Sequence, residues 1–189
     1  MDALELLTAD HNRVRGLFAR FQAAEGENDA QAARLAAKIF EELEIHTKIE
    51  EEIFYPAVTK LNDEIHDLVT EGCEEHHVVD ELMNEAKGLT PSDETWAAKV
   101  KVLIENVEHH AEEEEQEMFP KIRQAMNDDA RSELGQRLEA GKAELGAPTA
   151  ADKAHLSTDE LNRLASEQEI PGRSKMKREE LLATVAPES

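Results

Sequence analysis

The sequence predicts an all-α protein: an up-down-up-down four-helix bundle with an extra helix and a small C-terminal helix–turn–helix module. Three observations carry that reading. The composition is 34% charged and 4% aromatic, rich in Ala, Leu and Glu, with 8 Gly and 6 Pro in 189 residues, a helix-forming mixture. Apolar residues recur at steps of three and four, and no stretch alternates as a strand would. Two helix pairs of similar sequence follow one another within residues 10–120.

The first helix is expected over about Thr8–Ala24, preceded by a short turn, with His11, Val14, Phe18 and Phe21 on one side. "GEND" breaks it, and a second helix runs from about Asp29 to Phe54 until Pro56 ends or kinks it. Its inward stripe reads Leu35, Ile39, Leu43, His46, Glu50 and Ile53. A third helix over about Glu71–Lys87 carries His76, Val79 and Leu82 or Met83. In "GLTPSD", Ser92 is placed to cap a fourth helix, with Asp93 and Glu94 in its first turn. That helix aligns Trp96, Val100, Leu103, Val107, His110 and Glu114, then meets Pro120. A further helix, capped by Asn127, spans about Asp128–Leu145.

Residues 146–157 have linker composition. Residues 158–189 read as a small module: a helix with Ser157 and Glu160 at capping-box spacing, a Pro-Gly turn, and a second helix from Ser174. The bundle domain is therefore set at residues 1–145.

Charge and sorting signals narrow the partners. The formal charge is −22, which disfavours nucleic acid or an anionic membrane as a partner of the whole molecule. Residues 152–189 hold six basic and eight acidic side chains, so the acidity belongs to the bundle. Arg173, Lys175, Lys177 and Arg178 form a small basic patch through which the tail alone could meet nucleic acid. The N-terminus lacks a basic, then apolar, secretory pattern, and no segment approaches a membrane span. With the lone Cys73 unable to form an internal disulfide, the expected location is cytoplasmic.

The repeat carries the chemistry. "DHNRVRGLF" (10–18) aligns with "EHHVVDELM" (75–83), and "HTKIEEEIFYP" (46–56) with "HAEEEEQEMFP" (110–120). Both members of the second pair place Glu four after His and Pro ten after it. In an up-down-up-down bundle the starts of helices one and three share a level with the ends of helices two and four. His11, His46, His76, His110, Glu50 and Glu114 then meet at one level on core-facing stripes. Burying bare carboxylates costs several kcal/mol each, and the stripes hold no Lys or Arg. Metal cations answer this, and six side chains suit two ions better than one. Mixed nitrogen and oxygen ligation with open positions fits iron first and manganese second.

These motifs resemble the hemerythrin-like family of the His-His-Glu cation-binding type, over roughly residues 2–145. The resemblance implies two iron ions with an oxo or hydroxo bridge, His11, His46, His76 and His110 as terminal ligands, and Glu50 and Glu114 as bridges. Oxygen-carrying members have a second His four after that of helix three, where this chain has Asp80, and a His-x-x-x-x-Asp pattern, where it has Glu115 five after His110. The departure points to chemistry on peroxide, nitric oxide or dioxygen in stress handling, as a peroxide-disproportionating or nitric-oxide-handling activity; the alternative is an iron- or oxygen-dependent sensor signalling through the tail. Glu74 and His77 alone match the Glu-x-x-His spacing of ferritin-like proteins, which excludes that fold. The tail, "DELNRLASEQEIPGRSKMKREELLATV", resembles the helical module of the Rho terminator N-terminus and SAP-like modules.

Competing assignments remain within the motifs. His77 is the rival of His76, and His109 with Glu113 offers a second frame beside His110. The half-repeat favours His76, and Pro120 keeps register only with His110. Glu51, Glu52, Glu112, Glu113, Glu115 and Glu117 read as solvated faces or cation collectors. Tyr55 reads as packing, half a turn from His46, and Cys73 as a small buried residue.

Overall fold

The computed structural model describes residues 1–147, 157–167, 173, 176–178 and 181. It forms two compact units, Met1–Gly141 and Lys142–Ser189.

In the first unit, α1 spans Ala3–Ala24 and begins five residues earlier than its apolar stripe predicts. Asp2 caps it: its side chain accepts from the Leu4 and Glu5 amides, while Glu5 returns the bond to the Asp2 amide. α2 covers Asp29–Ile49 behind the Asn28 cap. The helix does not stop at Pro56. It widens into a π-helical turn, π1 (Glu50–Phe54), and resumes as α3 (Tyr55–Val58). The Tyr55 amide reaches back five residues to the Glu50 carbonyl. Pro56 then sits in the first turn of α3, where a missing N–H and a fixed φ are tolerated.

α4 spans Asp63–Lys87, longer than expected at its start because Asn62 caps it by accepting from the Ile65 amide. α5 spans Trp96–Glu113 and starts later than expected. Asp93 does not join its first turn; its carboxylate folds back on the Thr90 amide and hydroxyl. A second wide turn, π2 (Glu114–Met118), leads into α6 (Phe119–Ala125), which carries Pro120 as α3 carries Pro56. α7 covers Asp128–Glu144, with Asn127 accepting from the Ala130 amide.

Ion-pair registers fix the directions. Pairing of Arg13 with Glu42 and of His11 with His46 runs α1 against α2, and Lys99 with Glu85 and His76 with His110 run α4 against α5. Lys101 with Glu25 and His11 with Glu115 set α1 antiparallel to the α5–π2 segment, while Lys87 with Glu44 and His76 with Glu51 set α4 antiparallel to α2–π1. This is the up-down-up-down order. Phe18, Phe21, Ile39, Leu43, Met83, Trp96 and Leu103 fill one end of the core. α7 covers the N-terminal strap of α1: Arg131 Nε lies 3.1 Å from Asp2 Oδ2, and a Cβ at Gly135 would fall 2.5 Å from the Met1 carbonyl oxygen.

In the second unit, α8 spans Thr158–Glu167. Leu161, Ala165 and Leu181 form a small core with Met176 against it, and Lys177 and Arg178 are exposed. The expected helix start at Ser174, Lys175 of the basic patch, and residues 148–156 of the linker lie outside the described residues. No helix among the described residues is long and apolar enough to cross a membrane.

Candidate metal centre

The six predicted side chains meet in the core. His11 and His46 face each other across α1 and α2 with their Nε2 atoms 3.1 Å apart; His76 and His110 do the same across α4 and α5, also at 3.1 Å. Glu50 and Glu114 stand between the pairs. Glu50 Oε2 lies 3.2 Å from His46 Nε2 and 3.3 Å from His76 Nε2, and Glu114 Oε2 lies 3.4 Å from His11 Nε2. His76 is 1% exposed and Glu50 0%, whereas His77 is an exposed neighbour. His109 is also exposed and pairs with Glu113 at 3.4 Å, outside the core, where Glu75 joins them.

Each imidazole has a carboxylate behind it. Glu115 lies 2.8 Å from His11 Nδ1, Glu51 3.0 Å from His76 Nδ1 and Glu75 2.7 Å from His110 Nδ1. Asp10 stands 3.7 Å from His46 Nδ1, too far for a hydrogen bond. Glu51 and Glu115 are therefore not simply solvated faces. Their signal in the sequence is adjacency: each follows an inward Glu, and Asp10 and Glu75 each precede an inward His.

These supports decide the tautomers. A neutral imidazole that donates from Nδ1 presents a lone pair at Nε2. His76 and His110 then aim two lone pairs at one another across 3.1 Å, a repulsive arrangement unless a cation stands among them. Both carboxylate oxygens of Glu50 and the Oε2 of Glu114 are buried without a hydrogen bond. No Lys or Arg forms an ion pair with either residue among the described residues. Such orphaned acceptors are costly, and together with the lone pairs they fit divalent or trivalent metal.

Without a cation, the buried groups of the site shift one another's protonation. Burial drives the Glu50 carboxyl well above its ordinary range, and the charge of Glu114 adds to that. Burial works against Glu114 as well, but contacts with His11 and the charge of His110 outweigh it and hold its pKa at about 2. Burial pulls His46 down to about 4. For His11 burial acts in the same direction, yet Glu114, Glu50 and Glu115 raise it overall. Burial is likewise overcome at His110 by Glu75 and Glu114.

The wide turns change which residues face inward. On an ideal helix nine residues put Tyr55 half a turn from His46, at about 100° each. The π turn takes up one extra residue, so the inward face shifts: Phe54, not Ile53, is fully buried, and Tyr55 swings into the core. Its hydroxyl donates to Glu114 Oε1 at 3.0 Å, and its ring stacks on His76 with centroids 5.5 Å apart. In the other half Phe119 stacks on His11 in the same way, without a hydroxyl. Tyr55 is thus more than packing. Cys73, expected to be buried, is exposed.

Gly72 makes room for that hydroxyl: a Cβ there would lie 2.9 Å from Tyr55 Oη and 3.4 Å from His110 Cε1. Four before His11, Leu7 holds the equivalent place in α1. Tyr55 is the only tyrosine, so its state can be read directly. Burial, then the charges of Glu114 and Glu50, raise its phenol well above 10. An alkaline absorbance titration of the native protein should show no phenolate until the chain unfolds, whereas Gly72→Ala should bring phenolate formation to lower pH by displacing the ring. Equal titrations would remove the role given to Gly72.

An apolar cavity with room for a molecule of about water size reaches all four imidazoles, walled by Val14, Phe18, Leu43, Val79 and Val107. Arg15 and Glu108 lie at its outer side.

Comparison with known proteins gives three findings. The Hemerythrin HHE cation binding domain profile matches residues 2–122. A DNA nickase from Nostoc sp. is 26% identical over 146 residues, which is 77% of this chain and 40% of the nickase. This chain thus spans about two fifths of that curated relative. The crystal structure of a hemerythrin HHE cation binding domain-containing protein from Mycobacterium kansasii shares the fold, with a TM-score of 0.66 at 20% identity over 98% of this chain and 99% of that one.

Proposed function

The chain belongs to the hemerythrin HHE cation-binding domain family, and on that premise we propose that its bundle holds two iron ions joined by an oxo or hydroxo bridge and uses them to bind or reduce peroxide, nitric oxide or dioxygen in stress handling. The observation that carries this is the convergence at one level of four buried imidazoles, paired at Nε2 across 3.1 Å, with two buried carboxylates that leave three oxygens without a hydrogen bond. His11, His46, His76 and His110 would hold the ions and Glu50 and Glu114 would lie between them. Six side chains for two ions leave positions open, as reactive centres require and closed structural zinc sites do not.

Iron supplies one-electron exchange with oxygen and nitrogen species. The chain's own residues do the rest. Glu115, Glu51 and Glu75 orient the imidazoles and raise their donor strength. The Tyr55 hydroxyl holds one oxygen of Glu114, fixing how that carboxylate is presented. The valine and phenylalanine walls keep bulk water from the centre and admit small molecules. The nicking of DNA belongs to a longer relative, and an acidic bundle is poorly suited to nucleic acid; a contact with it would fall to the tail.

The deciding experiment is metal content per chain on aerobically purified protein, with a near-ultraviolet and visible spectrum. About two irons with oxo-bridge absorption are expected. One zinc, or no metal after anaerobic ferrous reconstitution, would overturn the reading.

A further inference from the structure

The second His-x-x-x-Glu frame, His109 with Glu113, is left unused by the core and forms a cluster of its own where α4 meets α5. His109 Nε2 lies 3.4 Å from Glu113 Oε1 and 4.0 Å from Glu75 Oε1, and one ligand atom from each residue falls within 4.8 Å of the other two. Bonds of about 2.1 Å to a single ion set neighbouring ligand atoms about 3.0–3.4 Å apart and opposed ones about 4.2 Å. The three groups stand near that spacing. Glu75 is also held in place: its Oε2 accepts from His110 Nδ1 at 2.7 Å, while its Oε1 faces His109. A carboxylate fixed through one oxygen presents the other with little further ordering.

The repeat supplies an internal comparison. The first-half counterpart of Glu75 is Asp10, whose charge is met by the guanidinium of Arg13 one turn on. The counterpart of Arg13 is Val78, and neither Glu75 nor Glu113 pairs with a Lys or Arg among the described residues. In place of His109 and Glu113 the first half has Ile45 and Ile49, which offer no donor atom. One half thus brings its cation as a side chain, and the other brings an imidazole and a second carboxylate. His77 and Glu81 mark the lower limit: they lie 3.4 Å apart at the same sequence spacing, but no third ligand joins them among the described residues.

We propose that Glu75, His109 and Glu113 form a separate surface site for a divalent first-row transition metal, with water completing its coordination. One imidazole and two carboxylates suit manganese, ferrous iron or zinc, whereas calcium and magnesium take oxygen ligands. The site lies outside the core group and does not depend on which ions the core holds.

The test titrates manganese(II) into the full-length chain and reads the free ion by electron paramagnetic resonance, with iron and bound manganese counted in every sample. His109→Ala and Glu113→Gln should each bind one manganese fewer per chain than wild type, or bind it at least about tenfold more weakly. Neither side chain lies in the core, so the iron count should stay that of wild type. His77→Ala should bind manganese as wild type does, because its pair lacks a third ligand. That pattern supports the proposal. Equal binding by wild type, His109→Ala and Glu113→Gln overturns it. An equal loss in His77→Ala also overturns it, by showing only diffuse attraction to an acidic surface. So does a fall in iron with no change in manganese, which would place His109 in the core frame.

Discussion

Glu50→Gln is expected to strip the centre of metal and leave the bundle standing. Glu50 is 0% exposed, belongs to both buried groups of converging ligand atoms, with His11, His46 and Glu114 and with His76 and His110, and has no hydrogen bond at either oxygen. Glutamine keeps its shape but removes the charge that holds cations. Bound iron should fall from about two per chain to less than one, given the tenfold or greater losses that follow even from indirect changes at metal sites. A variant that retains about two ions would sink the role assigned to Glu50. The metal-free proteins should rank the other way. Burial raises the Glu50 pKa well above 4.5 in the folded state, so its favourable contribution is full below the unfolded value and is lost as pH rises through the folded one. Metal-free wild type should lose stability toward alkaline pH from this source, and Glu50→Gln should not. At pH 8 the metal-free variant should melt at least as high as metal-free wild type, and the gap should narrow as pH falls.

His76→Ala against His77→Ala should separate neighbouring histidines by a large factor. His76 is 1% exposed and lies 3.1 Å from His110 Nε2 and 3.3 Å from Glu50 Oε2, while the His77 side chain is 69% exposed and pairs only loosely with Glu81. Removing His76 takes an imidazole from the converging group of Glu50, His76 and His110, so one ion should be lost at concentrations where wild type is saturated. Removing His77 should leave both ions in place. Chelator competition measures both, and a His77→Ala protein that loses an ion would show that the half-repeat misaligns the ligands.

Which of this was legible in the sequence depends on the kind of periodicity involved. The helices and the six inward side chains follow from steps of three and four, and the bundle level follows from the repeat. Starts set by a single cap did not show: Asp2 and Asn62 lengthen α1 and α4 beyond their apolar stripes, because a cap works one residue at a time and leaves no period. Tyr55 and Phe54 were misread for a different reason. An ideal helical wheel assumes a constant turn, and π1 breaks that assumption from Glu50, between His46 and Tyr55. Pro56 was the visible sign, since proline ten after His in both halves marks where a regular α ladder cannot continue. The carboxylates behind the imidazoles escaped because runs of Glu look alike in one dimension; only the packing of α4 against π1 tells Glu51 from Glu52.

The wide turns also record a history. Each begins at an inward Glu and ends two residues before a proline, at Glu50 and Glu114, with the same spacing from the preceding histidine. A wide turn amounts to one residue inserted into a regular helix. Two separate insertions would have had to land at the same step of both halves, whereas copying a helix pair that already contained one needs a single event. On that count a single copying of a helix pair that already contained the turn is the simpler origin of the repeat, and in both halves the turn brings an aromatic ring, Tyr55 or Phe119, against an inward imidazole.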